Sequence, residues 1–467
     1  MIRASLRMAF GLTLALCASV VPVAAQGDYR VESTVIPVTD DEPVSVGAIS
    51  YVDKTAADRP VLFAFNGGPG ASAAYLHIGV LGPWRADVPA DPAQALPSAA
   101  RLAPNDGGVL GNVDVVFLDP PGTGLSDRGA NPAALNTVAA DASAMAEAVV
   151  RWLSMHDRAA APVYILGESY GTIRAAAMLD AFAGMEEAPD IRGVILLGQA
   201  LNMIETSQRP DNIVSHAVSL PTMAAIACYH GRVAPACDPR AAARAAMEFA
   251  ADRYLRALFA GTRLPIEERR DVAAQLSALT GVAADYFLDH DLAISKEAFR
   301  VELMRADGMV TGRYDARYTA PLSDDASDIV GPDACSAVSA LYQDAMREYL
   351  TRFQIVDDPA AYAIHSQPEG AWAYGGADSP FADWPFMESV ERAAEENRCL
   401  RLFVGTGLFD LTTTVGAADY LLARSILAPE RSTARVYEGG HMFYSNPAAR
   451  SEFLADLRGF LAQDKCA

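Results

Sequence analysis

The chain has 467 residues, of which 51% are hydrophobic and 20% charged, with a formal net charge of −21. Its 34 glycines and 28 prolines are dispersed, which excludes a fibrous or low-complexity chain, and the length suits one large core or a core with a second subdomain. The acidic excess argues against nucleic acid or an anionic lipid surface as a partner.

The first residues read as an export signal. Arg3 and Arg7 form a basic start, "MAFGLTLALCASVV" an apolar run, and Val23 and Ala25 the small residues before a cleavage site at Gln26. The run is short for a membrane span. Cys17 follows Leu16, a poor fit to a lipid-attachment motif. Residues 1–25 are therefore expected to be removed from a periplasmic or secreted protein. Losing Arg3 and Arg7 takes the charge from −21 to −23. No later stretch is apolar enough to cross a membrane, so no stable membrane association is expected.

Residues 31–38 and 44–52 alternate apolar and polar around "TDDEP", the pattern of an antiparallel hairpin. Four short apolar runs follow, each closed by a glycine-rich turn: "VLFAFNGGPG", "VDVVFLDPPGTG", "VYILGESYG" and "GVILLGQALN". Helical patterns cover residues 135–156 and 172–182. Buried strands alternating with helices predict an α/β unit with a mostly parallel sheet.

The alternation stops near Asn202. Residues 205–377 read as a helical insertion without strand-like runs, its clearest helix being "AAARAAMEFAADRYLRALFAG". Strands resume at "LRLFVGTGLFD", followed by a helix at 415–427, the strand "TARVYEGGH" and a last helix at 447–463. Residues 26–204 and 378–467 thus form the expected core. The insertion is expected over the carboxyl ends of the strands, where open α/β sheets bind ligands.

Five cysteines remain beyond residue 25: Cys228, Cys237, Cys335, Cys399 and Cys466. In an exported chain they are disulfide candidates, and the odd number leaves at least one free. Cys228 and Cys237, flanking a turn-like segment, are the expected pair. No Cys or His spacing suggests a metal.

Gly167-Glu168-Ser169-Tyr170-Gly171 matches G-x-S-x-G between an apolar strand and an Ala-rich helix. In that setting the serine sits on a strained turn at a helix N-terminus, poised as a nucleophile. A serine needs a base, and the base an orienting carboxylate, supplied here in the order Ser, Asp/Glu, His. His441 follows one late strand and Asp410 another, with Asp419 and Glu438 as neighbouring carboxylates. The remaining histidines read as core or surface residues. An oxyanion would be held by the Tyr170 N–H and by the loop from Asn66 to Gly70. "FLDPPGTGLS" lacks the lysine of a phosphate-binding loop and reads as a tight turn beside the site, so no nucleotide and no other cofactor is implied.

Together "FNGGPGASA", "VVFLDPPGTGLSD", "GESYGT", "GLFD" and "GGHM" resemble the serine carboxypeptidases in a shortened bacterial form. "LPTMAAIACYHGRV" also resembles the start of that family's helical insertion. The resemblance runs from Val61 to the C-terminus. It implies an α/β-hydrolase fold and an exopeptidase whose partner is a peptide with a free C-terminus. By it the triad is Ser169, Asp410 and His441, and the oxyanion donors are the N–H groups of Gly68 and Tyr170. The terminal carboxylate would meet Asn66, Gly67 and Glu168, with Glu168 protonated so that it donates rather than repels. The chain departs from the family at three points. Val80 stands where a second glutamate is usual, "LTTT" lacks the cysteine that follows the aspartate, and Phe65 precedes the Asn-Gly-Gly in place of a tryptophan. A plant branch of the family transfers acyl groups, so an esterase or acyltransferase is the alternative activity.

Overall fold

The structure is a computed structural model that describes residues 21–26, 29–39, 44–53, 59–209, 211–323, 333–367, 370–375 and 386–463, the first of these as backbone only. The start of the expected export signal lies outside the described residues. Its end, Val21–Gln26, forms the edge strand β1, so cleavage before Gln26 would remove nearly all of that strand.

A ten-stranded sheet organises the chain. β1 pairs antiparallel with β2 (Tyr29–Pro37), and β2 with β3 (Val44–Asp53), the hairpin expected from the alternation. β4 is Val61–Phe65, β5 Asp114–Asp119, β6 Val163–Glu168, β7 Ile191–Leu197, β8 Arg401–Gly407 and β9 Ser432–Tyr437. The order across the sheet is β1-β2-β3-β5-β4-β6-β7-β8-β9, with Asp127–Arg128 pairing with β3 as the tenth strand. From β5 to β9 every pairing is parallel.

The continuous apolar runs follow from this topology, because both faces of the parallel strands are covered. Phe63, Val116, Ile165, Leu196 and Leu402 face one layer, which contains helix α1 (Val138–Met155) and helix α2 (Tyr170–Ala183). Leu62, Val115, Leu166, Ile195 and Phe403 face the other, under the helices Ser336–Arg352 and Pro447–Ala462. Thr137 caps α1 by accepting from the Ala140 N–H at 3.1 Å.

The region 205–377 is mainly helical, with one correction. A short hairpin pairs Met309–Thr311 with Thr319–Pro321, where no strand was expected. Three-residue strands are too short to show an alternating pattern, so only tertiary pairing reveals them. The expected helix at "AAARAAMEFAADRYLRALFAG" forms as Pro239–Phe249, a π turn at Ala250–Tyr254 and Leu255–Ala260. Asp238 caps its start and Pro239 occupies the first turn, where a missing N–H costs nothing. The inserted helices bury their own cluster, which reaches Leu408, Phe409 and Leu411 just beyond β8. Cys228 and Cys237 are bonded as expected, Cys399 is also disulfide-bonded, and Cys335 is free and buried.

Phe63 is fully buried and meets Trp152 of α1 edge to face at 5.4 Å between ring centroids. Replacing it by alanine removes an aromatic anchor between sheet and helix. Phe63→Ala is expected to lower unfolding free energy by about 3–5 kcal/mol, measured as a fall in the urea midpoint without a change in slope.

Candidate active site

All the sequence-predicted site residues lie at or beyond the carboxyl ends of β4, β6, β8 and β9. Ser169 leaves β6 with φ 60° and ψ −128°, a conformation that L-residues adopt under strain, and α2 starts at the next residue. Gly167 is required by the turn, since a Cβ there would lie 2.1 Å from the Gly171 carbonyl oxygen. Gly67 approaches from β4 so closely that its Cβ would lie 2.5 Å from the Tyr170 nitrogen. The loop expected to hold an oxyanion therefore runs directly against the start of α2. As the first residue of that helix, Tyr170 has an N–H without a partner inside it.

His441 and Asp410 are joined. The His441 Nδ1–H donates to Asp410 Oδ2 at 2.7 Å, so the proton sits on Nδ1 and Nε2 is left as an acceptor. Neither Asp419 nor Glu438 makes this contact. Asp410 is fully buried, and its other oxygen accepts from the N–H groups of Thr412 at 2.7 Å and Thr413 at 3.1 Å. The Thr413 hydroxyl donates to the same oxygen as His441. Burial pulls the His441 pKa down, but the charge of Asp410 and the hydrogen bond to it outweigh that, and the pKa is raised.

Glu168 is 2% exposed. Its Oε2 accepts from Tyr444 O–H at 3.0 Å and from the Asn66 amide. Its Oε1 has no partner among the described residues. Burial pushes its pKa up to about 7. The carboxyl is thus kept largely neutral in mildly acidic solution and is able to donate.

Asn66 is itself held from two sides. Its side-chain oxygen accepts from the Leu76 N–H at 3.1 Å, and its backbone carbonyl accepts from Arg174 Nη1 at 2.6 Å. Arg174 pairs with Asp141 of α1 at 2.7 Å, deep in the protein, and Tyr170 O–H donates to the same carboxylate at 3.0 Å.

Asn66, Gly67, Gly68, Glu168, Ser169 and His441 line one cavity of about 290 Å³. Asp410 and Tyr170 are not among the lining residues: Asp410 is reached through its bond to His441, and the Tyr170 ring packs into the core. Tyr75, Tyr314, Ser339 and His365 also line the cavity, and none of them was singled out in the sequence. Thr413 and Tyr444 were also missed; Thr413 lies three residues beyond Asp410, a local spacing that was legible, whereas Tyr444 meets Glu168 from 276 positions away. Val80 is fully buried and does not line the cavity. The neighbouring Gly79 packs against the rings of Tyr444 and Tyr342, where a Cβ would lie 2.6 Å and 3.1 Å from them.

The mostly parallel sheet with helices on both faces is an α/β-hydrolase fold. Residues 50–209 match the model of the serine carboxypeptidase family, bearing out the resemblance over the stretch that carries Asn66 to Gly70 and Ser169. The structure is similar to that of KEX1Δp, a prohormone-processing carboxypeptidase from Saccharomyces cerevisiae. The TM-score is 0.53 and the identity 11%, covering 92% of this chain and 91% of that one, a likeness that shows the fold. A highly thermostable carboxyl esterase from Bacillus coagulans aligns with a TM-score of 0.38 and 11% identity, covering 93% and 98% of the two chains. No curated protein sequence matches this chain.

The raised pKa of Glu168 has a consequence for stability. Between about pH 4.5 and 7 the folded protein holds a proton that the unfolded chain has released. Unfolding free energy therefore falls as pH rises through that window. Glu168→Gln, which cannot ionise, is expected to flatten this slope, seen as a smaller difference in Tm between pH 5 and pH 7 than in the parent protein.

Proposed function

We propose that the protein is an exported serine carboxypeptidase that removes C-terminal residues from peptides. The observation that carries this reading is the buried Glu168. It sits beside Ser169 in the cavity, poised to stay neutral, with one oxygen unpartnered among the described residues. A protonated carboxyl next to a nucleophile suits a substrate that brings its own carboxylate. The family match over residues 50–209 supports a serine hydrolase more broadly.

In the reaction, the Ser169 hydroxyl attacks the carbonyl carbon of the last peptide bond while His441 Nε2 takes its proton. Asp410 orients the imidazole and stabilises its charge. The N–H groups of Gly68 and Tyr170 hold the oxyanion of the tetrahedral intermediate. His441 then gives the proton to the leaving amine, and the C-terminal amino acid departs from an acyl-enzyme. Water, activated by the same histidine, releases the shortened peptide. Asn66, Gly67 and Glu168 bind the terminal carboxylate. Residues 205–377 roof the cleft and set side-chain preference. The reaction draws on this chain and on water.

Val80, buried away from the cavity where a second carboxyl would be useful, favours one other reading: an esterase or acyltransferase with the same triad. Export rests on the N-terminal pattern, Arg3 to Gln26. Sequencing the protein secreted or released from the periplasm should find Gln26 at its start, and an N-terminus retaining the apolar run would overturn export with cleavage.

A blocked dipeptide with a free C-terminus is expected to be cleaved much faster than its amide across pH 4 to 8, with preference rising toward low pH. Ser169→Ala should abolish cleavage. Glu168→Gln should weaken it far less at neutral pH, because an amide still donates. Equal rates on acid and amide, or turnover of esters only, would transfer the proposal to the esterase or acyltransferase.

A further inference from the structure

A carboxylate entering this cavity needs donors on more than one side, and the family's second glutamate is replaced by a buried valine. The lining of the cavity supplies another pair. Tyr75 and His365 both line it, with Tyr75 O–H against His365 Nε2 at 2.5 Å and the ring centroids 5.4 Å apart. When the tyrosine donates to Nε2, the imidazole proton sits on Nδ1, and that nitrogen has no partner among the described residues. Partial desolvation of the ring holds the pKa of this otherwise exposed histidine below the usual imidazole value.

His365 belongs to the inserted region, yet it is not free to drift. Its segment is bonded to the two loops that frame the site. The Ser72 N–H donates to the Ile364 carbonyl at 2.9 Å, and the Ser366 N–H to the Gly70 carbonyl at 2.8 Å. Ala363 exchanges both backbone bonds with Gly124, at 2.6 and 3.2 Å. This strap fixes an exposed histidine beside the loop whose Gly67 and Gly68 line the cavity. Tyr75 is 6% exposed and has its ring 5.7 Å from that of Tyr342, so the partner of the imidazole is rigid as well.

We infer that His365, oriented by Tyr75, is a specificity-determining residue that donates to the substrate's C-terminal carboxylate together with Glu168. The pair supplies in this chain the second arm of a carboxylate clamp. This inference rests on the carboxypeptidase reading for its substrate, but it concerns carboxylate binding and can be tested apart from cleavage.

The test uses the full mature chain and the variants His365→Ala, His365→Asn and Tyr75→Phe. Two ratios are measured. One is kcat/KM for the blocked dipeptide acid over that for its amide. The other is the inhibition constant of a blocked amino acid over that of its amide, read against hydrolysis of a small neutral ester. In His365→Ala the preference for acid over amide should fall at least tenfold in both assays. Tyr75→Phe should show a smaller loss in the same direction, and His365→Asn, which keeps a donor near Nδ1, a partial recovery. A merely structural role would lower acid and amide rates together and leave the ratios unchanged, which would overturn the inference while the carboxypeptidase reading stands. If the parent cleaves no peptide but the blocked acid inhibits better than its amide, and His365→Ala removes that advantage, the clamp is upheld and the peptidase reading falls. A parent that binds acid and amide equally would overturn both.

Discussion

The site depends on two neighbouring strand ends being brought almost into backbone contact. β4 and β6 are adjacent and parallel, so Asn66-Gly67 and Ser169-Tyr170 leave the sheet side by side. No side chain fits between Gly67 and Tyr170. What holds the two together is Arg174, one turn into α2, whose guanidinium binds the Asn66 carbonyl while paired to Asp141 on α1. A buried ion pair of this kind adds little net stability, but losing one partner leaves a charge unmatched in the core. Strand, elbow and both helices are therefore locked into one geometry.

Two acidic side chains in the site meet different surroundings. Asp410 receives four donors: two backbone N–H groups, the Thr413 hydroxyl and the His441 ring. Glu168 receives two, both on one oxygen, with the other bare and the whole group buried. Donors favour the charged form and burial the neutral one, so one carboxyl suits orienting an imidazole and the other suits meeting an anion. The residue type is nearly the same; the number of donors decides the chemistry each can do.

The inserted region packs against the candidate site. Its short hairpin reaches back to the loop after β9, where Tyr314 accepts from the His441 N–H and Asp315 from the Gly440 N–H at 3.1 Å. Its last helix, Ser336–Arg352, sends Val338, Tyr342, Ala345, Met346, Tyr349 and Leu350 into the main core as one stripe. The strap at 363–366 then binds the loop at 70–72. Both the proposed base and the proposed oxyanion loop are positioned by residues far away in sequence.

The sequence by itself determined the parallel sheet, the elbow and the order of Ser169, Asp410 and His441. Those features are local: apolar runs mark strands buried on both faces, and glycine pairs mark turns that no side chain permits. Even the Cys228–Cys237 bond spans only nine positions. Only the tertiary structure decided which carboxylate meets His441, how many donors Glu168 receives, and that Tyr75 and His365, 290 positions apart, share a hydrogen bond. A hairpin of three-residue strands and a strap of isolated bridges carry no periodic signal. Burial, donor number and loop-to-loop contact belong to groups that the chain brings together only after it has folded.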